Sequence, residues 1–440
     1  MTSPEQDESQ NPSSESGEEL PGSPESGSTA ASRPGAAPQG SPPPEADEPL
    51  PPVNGHWHNL FRTITTGNAL IAFLAVLLAV AVGSLLILFT DETVRDSSAY
   101  FFSRPGDFLS AAWNAISGAY SALFRGSIYN TRATDFETGI RPLTETLKFS
   151  GPLIAAGLGV GLAFRAGLFN IGGRGQMLLA GAAAGWVAID VDLPAPLLLP
   201  LAIIAGMVAG ALWAGLAGLL KARTGAHEVI VTIMLNYVGY FLVFYALSQQ
   251  SLLQAPGTVN PKSLPIPKDA QMPRLLGDTY RLHLGFLLAL VAVAVVWWIL
   301  NRSALGYRFR AVGANPHAAR TAGIDVGRTY IYAMLIAGAL VGLAGTNQVL
   351  GTVTSGVAGD LDAGIGFDAI TVALLGRSHP LGILGAGLLF GAFKSGGFAM
   401  QASEGIPVDI VLVIQSLIVL FIAAPPLIRA LFRLPTKEAK

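Results

Sequence analysis

From Asn68 onward the chain is a succession of apolar runs separated by polar joints. Crossing about 30 Å of hydrocarbon takes around 20 helical residues. Lipid offers no partner to a backbone N–H or C=O, so a spanning run must satisfy its own, and a helix does that. The runs are Asn68–Thr90, Gly151–Arg165, Gly172–Ile189, Pro196–Leu220, Val229–Ser248, Leu284–Leu300, Thr329–Val349, Phe367–Leu375, Leu381–Phe398 and Val408–Arg429. They predict an all-α polytopic membrane protein with about ten transmembrane helices, some broken or short. Phe367–Leu375 is too short to span; it reads as a half-helix continuing back through Gly364, or as a re-entrant turn. The polar stretch before Gly151 holds a candidate interfacial helix near Asp107–Phe124.

Only 13% of residues are charged, against about 25% in soluble domains. The deficit agrees with a membrane protein. Absence of cysteine excludes disulfides, thiolate metal sites and cysteine nucleophiles. A net charge of −2 gives no reason to expect a nucleic acid partner. Four small-xxx-small pairs, Gly181/Gly185, Gly206/Gly210, Gly338/Gly342 and Gly387/Gly391, predict close helix crossings. The Gly157, Gly159 and Gly161 run lies within an apolar helix with no preceding strand, which reads as packing and not as a dinucleotide site. No GxxxxGK[ST] loop occurs, so ATP hydrolysis is not expected of this chain. Metal-ligand spacing is absent, and His56 and His58 read as solvated.

Up to about Pro52 the chain is Ser, Pro, Gly and Glu with Arg33 as its one basic residue, a composition that predicts a disordered acidic tail. Lysine and arginine concentrate on the cytoplasmic side of membrane proteins. Ten crossings with both termini cytoplasmic place Arg165, Arg174, Lys221, Arg223, Arg302, Arg308, Arg310, Arg320, Arg328, Arg377 and the C-terminal cations inside. The loop Gln249–Arg281, with Lys262, Lys268, Arg274 and Arg281, runs against this pattern.

Polar residues are costly within the membrane and face a cavity or a partner. Asn170 and Gln176 stand where glycines interrupt the apolar pattern, either as capping side chains of a turn or as part of a broken helix open to a solute. Asn236 and Tyr237 lie deep in one run, and Asn347 and Gln348 late in another. Asp368 follows a glycine turn where an N-cap is expected. Lys394, near the end of an apolar helix, reads as snorkelling to the surface. Glu228 suits the first turn of its helix.

Between two runs lies Tyr307–Ile324, with Arg308, Arg310 and Arg320. Asn315 is placed to cap a short helix, Pro316 to begin it, and Gly323 to end it in the left-handed conformation. Ala318, Ala319 and Ala322 give it a small-residue face. A compact basic helix at the membrane surface suits contact with a cytoplasmic partner.

Four segments occur in order: Phe169-Asn-Ile-Gly with Gly175-Gln-Met; His227-Glu-Val-Ile-Val-Thr-Ile-Met-Leu-Asn-Tyr237; Ala311-Val-Gly-Ala-Asn-Pro with Ala-Ala-Arg-Thr-Ala-Gly323; and Gly366-Phe-Asp-Ala-Ile-Thr-Val-Ala-Leu-Leu-Gly376. Together they resemble permease subunits of the simple-sugar and nucleoside branch of bacterial ABC importers, the nucleoside type above all. The chain departs from many of these relatives at Gly173-Arg174, where they carry Ala-Glu. The resemblance implies a multi-pass protein of the bacterial inner membrane that moves a nucleoside or related polar solute inward by alternating access. The alternatives are a simple sugar such as ribose or galactose, or an ion-coupled secondary transporter. It implies a partner ATPase that binds ATP and Mg, a second permease subunit, an extracellular substrate-binding lipoprotein and surrounding lipid, with no cofactor in this chain. It also implies that Gly313, Asn315, Pro316, Ala319, Arg320 and Gly323 form the coupling helix to that ATPase. Asn170, Gln176, Asn236, Tyr237, Asn347, Gln348 and Asp368 are the expected substrate path. The expected organisation is a tail over 1–55, a first transmembrane helix with an extracellular segment over 56–150, and a permease core over 151–440.

Overall fold

In a computed structural model the described residues are 68–433. The acidic tail, His56, His58, Lys437 and Lys440 lie outside them. The chain forms α1 (Asn68–Thr90), α2 (Glu92–Ser98), α3 (Pro105–Ser127), α4 (Phe136–Arg165), α5 (Gly173–Asp190), α6 (Ala195–Thr224) and α7 (Glu228–Leu247). After a long loop follow α8 (Gly285–Arg302), α9 (Ala304–Ala314), α10 (Pro316–Thr321) and α11 (Val326–Asn347), the last extended by a π turn, Gln348–Thr352. Then come α12 (Ile365–Leu375), α13 (Pro380–Glu404), α14 (Val408–Ala423) and α15 (Pro425–Leu431). No named strand occurs among the described residues.

Among the described residues, six helices are long and apolar enough to cross a membrane: α4, α6, α7, α8, α11 with its π turn, and α13. The Leu74–Thr90 part of α1 and α2 make a seventh span if taken together, bent by 73°. The remaining expected crossings are the 18-residue α5 and the shorter α12 and α14. Several boundaries differ from the sequence expectation, three of them for a clear local reason. The crossing expected from Gly151 begins at Phe136, because Asp135 caps the helix there through the Thr138 N–H. The last run breaks at Ala424, before Pro425 and Pro426, which have no N–H to give the ladder. Finally, α12 starts after Gly364 and does not continue through it, since Gly364 sits at φ +79°.

The bundle is built around α4 and α11. The apolar stretch of α4 is 83% buried, against 22% for α7, so α4 is the core and α7 an outer wall. Gly206 and Gly210 of α6 meet Gly338 and Gly342 of α11 backbone to backbone. A Cβ on Gly210 would lie 2.8 Å from the Gly342 Cα, and one on Gly342 would lie 2.8 Å from the Gly206 carbonyl. Dispersion between touching backbones replaces the hydrophobic drive that lipid cannot supply. Gly159 of α4 packs likewise against the Ala337 carbonyl of α11, so the Gly157–Gly161 run is a packing surface. The interfacial helix expected near Asp107–Phe124 is α3, packed against α13. A separate apolar cluster joins α1, α3 and α14.

The long loop before α8 is pinned to the π turn by His283. Its ring is buried, receives the Gly285 N–H at Nδ1 (3.3 Å) and faces Thr352 Oγ1 at 3.2 Å from Nε2. Burial, then the Lys148 charge, hold its pKa down from 6.5 to about 4. The folded state therefore binds this proton less readily than the unfolded chain. Stability is full above pH 6.5, falls as pH drops from there, and levels below about 4. That gap is worth on the order of 3 kcal/mol. His283→Gln should flatten the pH dependence of the unfolding temperature across this window, read by thermal aggregation of the purified protein; an unchanged slope would remove His283 as its cause.

Candidate functional site

Where α4 ends, Gly167 turns the chain at φ +74° and residues 168–172 stay non-helical until α5 begins. Side chains satisfy the exposed backbone of this break. Asn170 Oδ1 accepts from the Gly172 N–H (3.0 Å) and from Gln176 Nε2 (2.9 Å). Asn236 of α7 bridges the rest: its Oδ1 accepts from the Gly175 N–H (2.8 Å) and its Nδ2 donates to the Ile171 carbonyl (2.9 Å). Thr232 Oγ1 accepts from the Ile171 N–H at 3.3 Å. All four polar side chains are buried, and each bond removes a desolvation penalty of about 1–3 kcal/mol.

The second break precedes α12. Ala363 and Gly364 adopt φ +46° and +79°, which turns the chain into a helix of 11 residues, about 16 Å long. The C-terminal end of α12 leads into Arg377 and Ser378, whose carbonyls accept from the Arg165 guanidinium at the end of α4. The α12 N-terminus therefore lies about half a bilayer thickness from that end. There it meets the N-terminus of α5: a Cβ on Gly173 would lie 2.5 Å from the Gly366 carbonyl. Two positive helix ends converge, and the buried Asp362 carboxylate sits beside them.

Arg174 completes the site. Its Nε lies 3.4 Å from Asp362 Oδ1, with no aligned hydrogen bond there, and its guanidinium lies 5.1 Å from the Tyr240 ring centroid. The side chain is 36% exposed, whereas Asp362 is 6% exposed, so the arginine carries a buried charge out to an open face. That face is a cavity of about 420 Å³ lined by Arg174, Asn236, Tyr237, Tyr240, Phe241 and Phe367, within the usual range of about 300–1,000 Å³ for small-molecule sites. Tyr237, Phe241 and Phe367 are exposed on it.

The structure brings Asn236 and Tyr237 to this cavity, with Asn170 and Gln176 behind it as supports of the break. Asn347 and Gln348 are elsewhere. The Asn347 amide is fully buried without a hydrogen bond, closely packed against Gly151 and Gly285, and Gln348 is buried at the π turn. Asp368 lines a smaller cavity, about 220 Å³, with Lys394 and Gln415. Asp368 is not the cap of α12, because Gly364 holds that position and the Asp368 N–H is bonded to its carbonyl. Lys394 is tied down as well as partly exposed: its Nζ donates to the Ala363 carbonyl at 2.9 Å. Glu228 gains a partner beyond its helix dipole, Lys221 Nζ at 2.6 Å.

At the other end of α12, α9 and α10 form a knob around Val312, Ala319 and Val326. Asn315 Oδ1 accepts from the N–H groups of His317 (2.9 Å) and Ala318 (3.1 Å), Pro316 opens α10, and Gly323 takes φ +80°. Gly313 packs on the Arg165 carbonyl and Gly167, so the knob is seated on the end of α4. His317 and Arg320 are exposed.

A family described as branched-chain amino acid transport system / permease component matches residues 143–423. The chain is 38% identical over 365 residues to a guanosine ABC transporter permease protein of Bacillus subtilis (strain 168), covering 82% of this chain and 95% of that one. It is 37% identical over 305 residues to a nucleoside ABC transporter permease protein of Lactococcus lactis subsp. cremoris (strain MG1363), covering 68% and 83%. A glucose ABC transporter permease protein of Haloferax volcanii is 38% identical over 293 residues, covering 64% and 75%. No solved structure matches.

Proposed function

The chain belongs to the branched-chain amino acid transport system / permease component family, and on that premise we propose that it is one of the two permeases of an ABC importer that carries a nucleoside inward. The observation that carries the substrate class is the cavity at the two helix breaks, between Arg174 and α7. It pairs aromatic faces, Tyr237, Tyr240, Phe241 and Phe367, with the Arg174 guanidinium, while the Asn236 amide in its wall is held by the backbone of the break. A nucleoside presents a flat base to stack and polar edges to bond, and the cavity offers both kinds of surface. Broken helices meeting near the midplane are how many transporters hold a solute between two access states. The exposed aromatic face of α7 is the surface a second permease would cover. The basic, capped α10 would sit on a partner ATPase that binds ATP and Mg, and both termini would then lie in the cytoplasm, with the long loop before α8 outside. A substrate-binding lipoprotein would deliver the solute there. Differential affinity of the ATP-bound and ATP-free partner for the two permease states then drives the cycle.

The glucose permease relative favours a second reading, in which a free sugar is the cargo. Uptake of labelled guanosine by vesicles holding this chain with its ATPase, second permease and binding protein separates the two. ATP-dependent uptake that excess glucose or ribose competes only weakly is the expected result. Uptake that prefers the free sugar overturns the nucleoside, and uptake without ATP overturns the importer.

A further inference from the structure

At the end of α4 away from α10, a third cavity, of about 790 Å³, opens between α3, α4 and α13. Five cations line it, Arg125, Arg132, Arg141, Lys148 and Arg281, with Glu145 as the one carboxylate in its wall. Lys148, 3% exposed, is paired with Glu145, and Arg125 lies 3.5 Å from Glu404. The guanidinium groups of Arg132, Arg141 and Arg281 have no hydrogen bond or ion pair within the described residues. Among the described residues, five cations against two carboxylates leave three positive charges uncompensated in one concavity, whose low-dielectric walls focus their field. The floor is apolar: the Phe149 and Phe398 rings lie 6.0 Å apart, and the Lys148 ammonium stands 4.2 Å over the Phe149 ring. One wall, α3, exposes Leu109, Trp113 and Phe124, residues suited to a bilayer interface.

We propose that this cavity binds the phosphate of an anionic phospholipid. The three free guanidiniums would hold the phosphate oxygens, and the aromatic floor would take the first methylenes of the acyl chains. A soluble anion uses only the charges; an amphiphile uses both surfaces. The cavity also accounts for cations on the side that membrane proteins keep poor in them, a point that rests on the orientation proposed above, whereas the cavity itself does not.

Native mass spectrometry of the purified full-length chain, with phosphatidylglycerol and phosphatidylcholine supplied equally, tests this without any transport assay. The expected result is about tenfold preferential retention of phosphatidylglycerol, lost in the double variant R141Q/R281Q. Neither guanidinium has a hydrogen-bond or ion-pair partner among the described residues, so the variant leaves none of them orphaned. Equal retention of the two lipids overturns the proposal, as does a preference that survives in the variant. Binding of inorganic phosphate with no lipid preference also overturns it and assigns the cavity to a soluble anion. Selective capture of an acidic protein partner without lipid preference overturns it in favour of a docking face.

Discussion

Arg174→Met is expected to lower nucleoside uptake by at least about tenfold, and Asp362→Asn added to it to recover part of the loss. The single change leaves a carboxylate that is 6% exposed without its cation. Breaking a buried pair from one side costs about 3–5 kcal/mol; here the arginine is partly solvated and two helix N-termini still favour the charge, so the lower end of that range applies. The double variant removes the orphaned charge, and the α5–α12 junction keeps its packing. Uptake by reconstituted vesicles, with each variant checked as monodisperse by size exclusion, gives the four corners of the cycle. Recovery in the double variant assigns the pair to holding the junction in register. Loss without recovery assigns Arg174 to direct contact with the solute. Full uptake by Arg174→Met would remove the cavity from the path.

That pair shows where sequence reasoning stops. The apolar runs, the glycine pairs and the capped helix Pro316–Thr321 are local signals: period, spacing and cap chemistry within a few residues. Asn315 and Gly323 behave as their neighbours dictate. No local signal in the sequence singles out Asp362, by contrast, and Arg174 reads only as one more cation of the cytoplasmic side. Nothing near either names the other, because the two helix breaks that bring them together are set by tertiary packing of Gly173 on Gly366. Tyr240 and Phe367 read as ordinary apolar members of their runs for the same reason. Asn347 shows a different limit. A polar residue late in an apolar run reads as a solute contact, yet it is buried against Gly151 and Gly285; the Gly338/Gly342 pair marks one packed face of α11, but no local signal shows that every face is covered from Leu340 to Leu350. Lys394 looked like a snorkelling side chain because its acceptor, the Ala363 carbonyl, belongs to the same unforeseen break.

Arg320→Glu is expected to abolish at least about nine-tenths of ATP-driven uptake while leaving the fold intact, because the charge it inverts is solvent-exposed and makes no internal contact that the knob needs. The core of the knob is Val312, Ala319 and Val326, and its caps are Asn315 and Gly323, none of which the substitution touches. An acid in the last turn of α10 costs only about 0.3–1 kcal/mol against the helix dipole. The loss would therefore come from the partner side, where, on the function proposed above, the basic knob would meet the ATPase. A physical route leads from there to the cavity: Gly313 bears on the end of α4, the Arg165 guanidinium donates to Ser378 at 2.9 Å, and α12 runs as one rigid rod from that turn to Phe367. ATPase turnover and uptake measured on the same vesicles decide it. Turnover that continues without uptake places Arg320 in the coupling step, and loss of co-purification places it in docking. Normal uptake by Arg320→Glu would exclude α10 as the contact, and Arg320→Lys, which keeps the charge, should retain most activity if charge is what the partner reads.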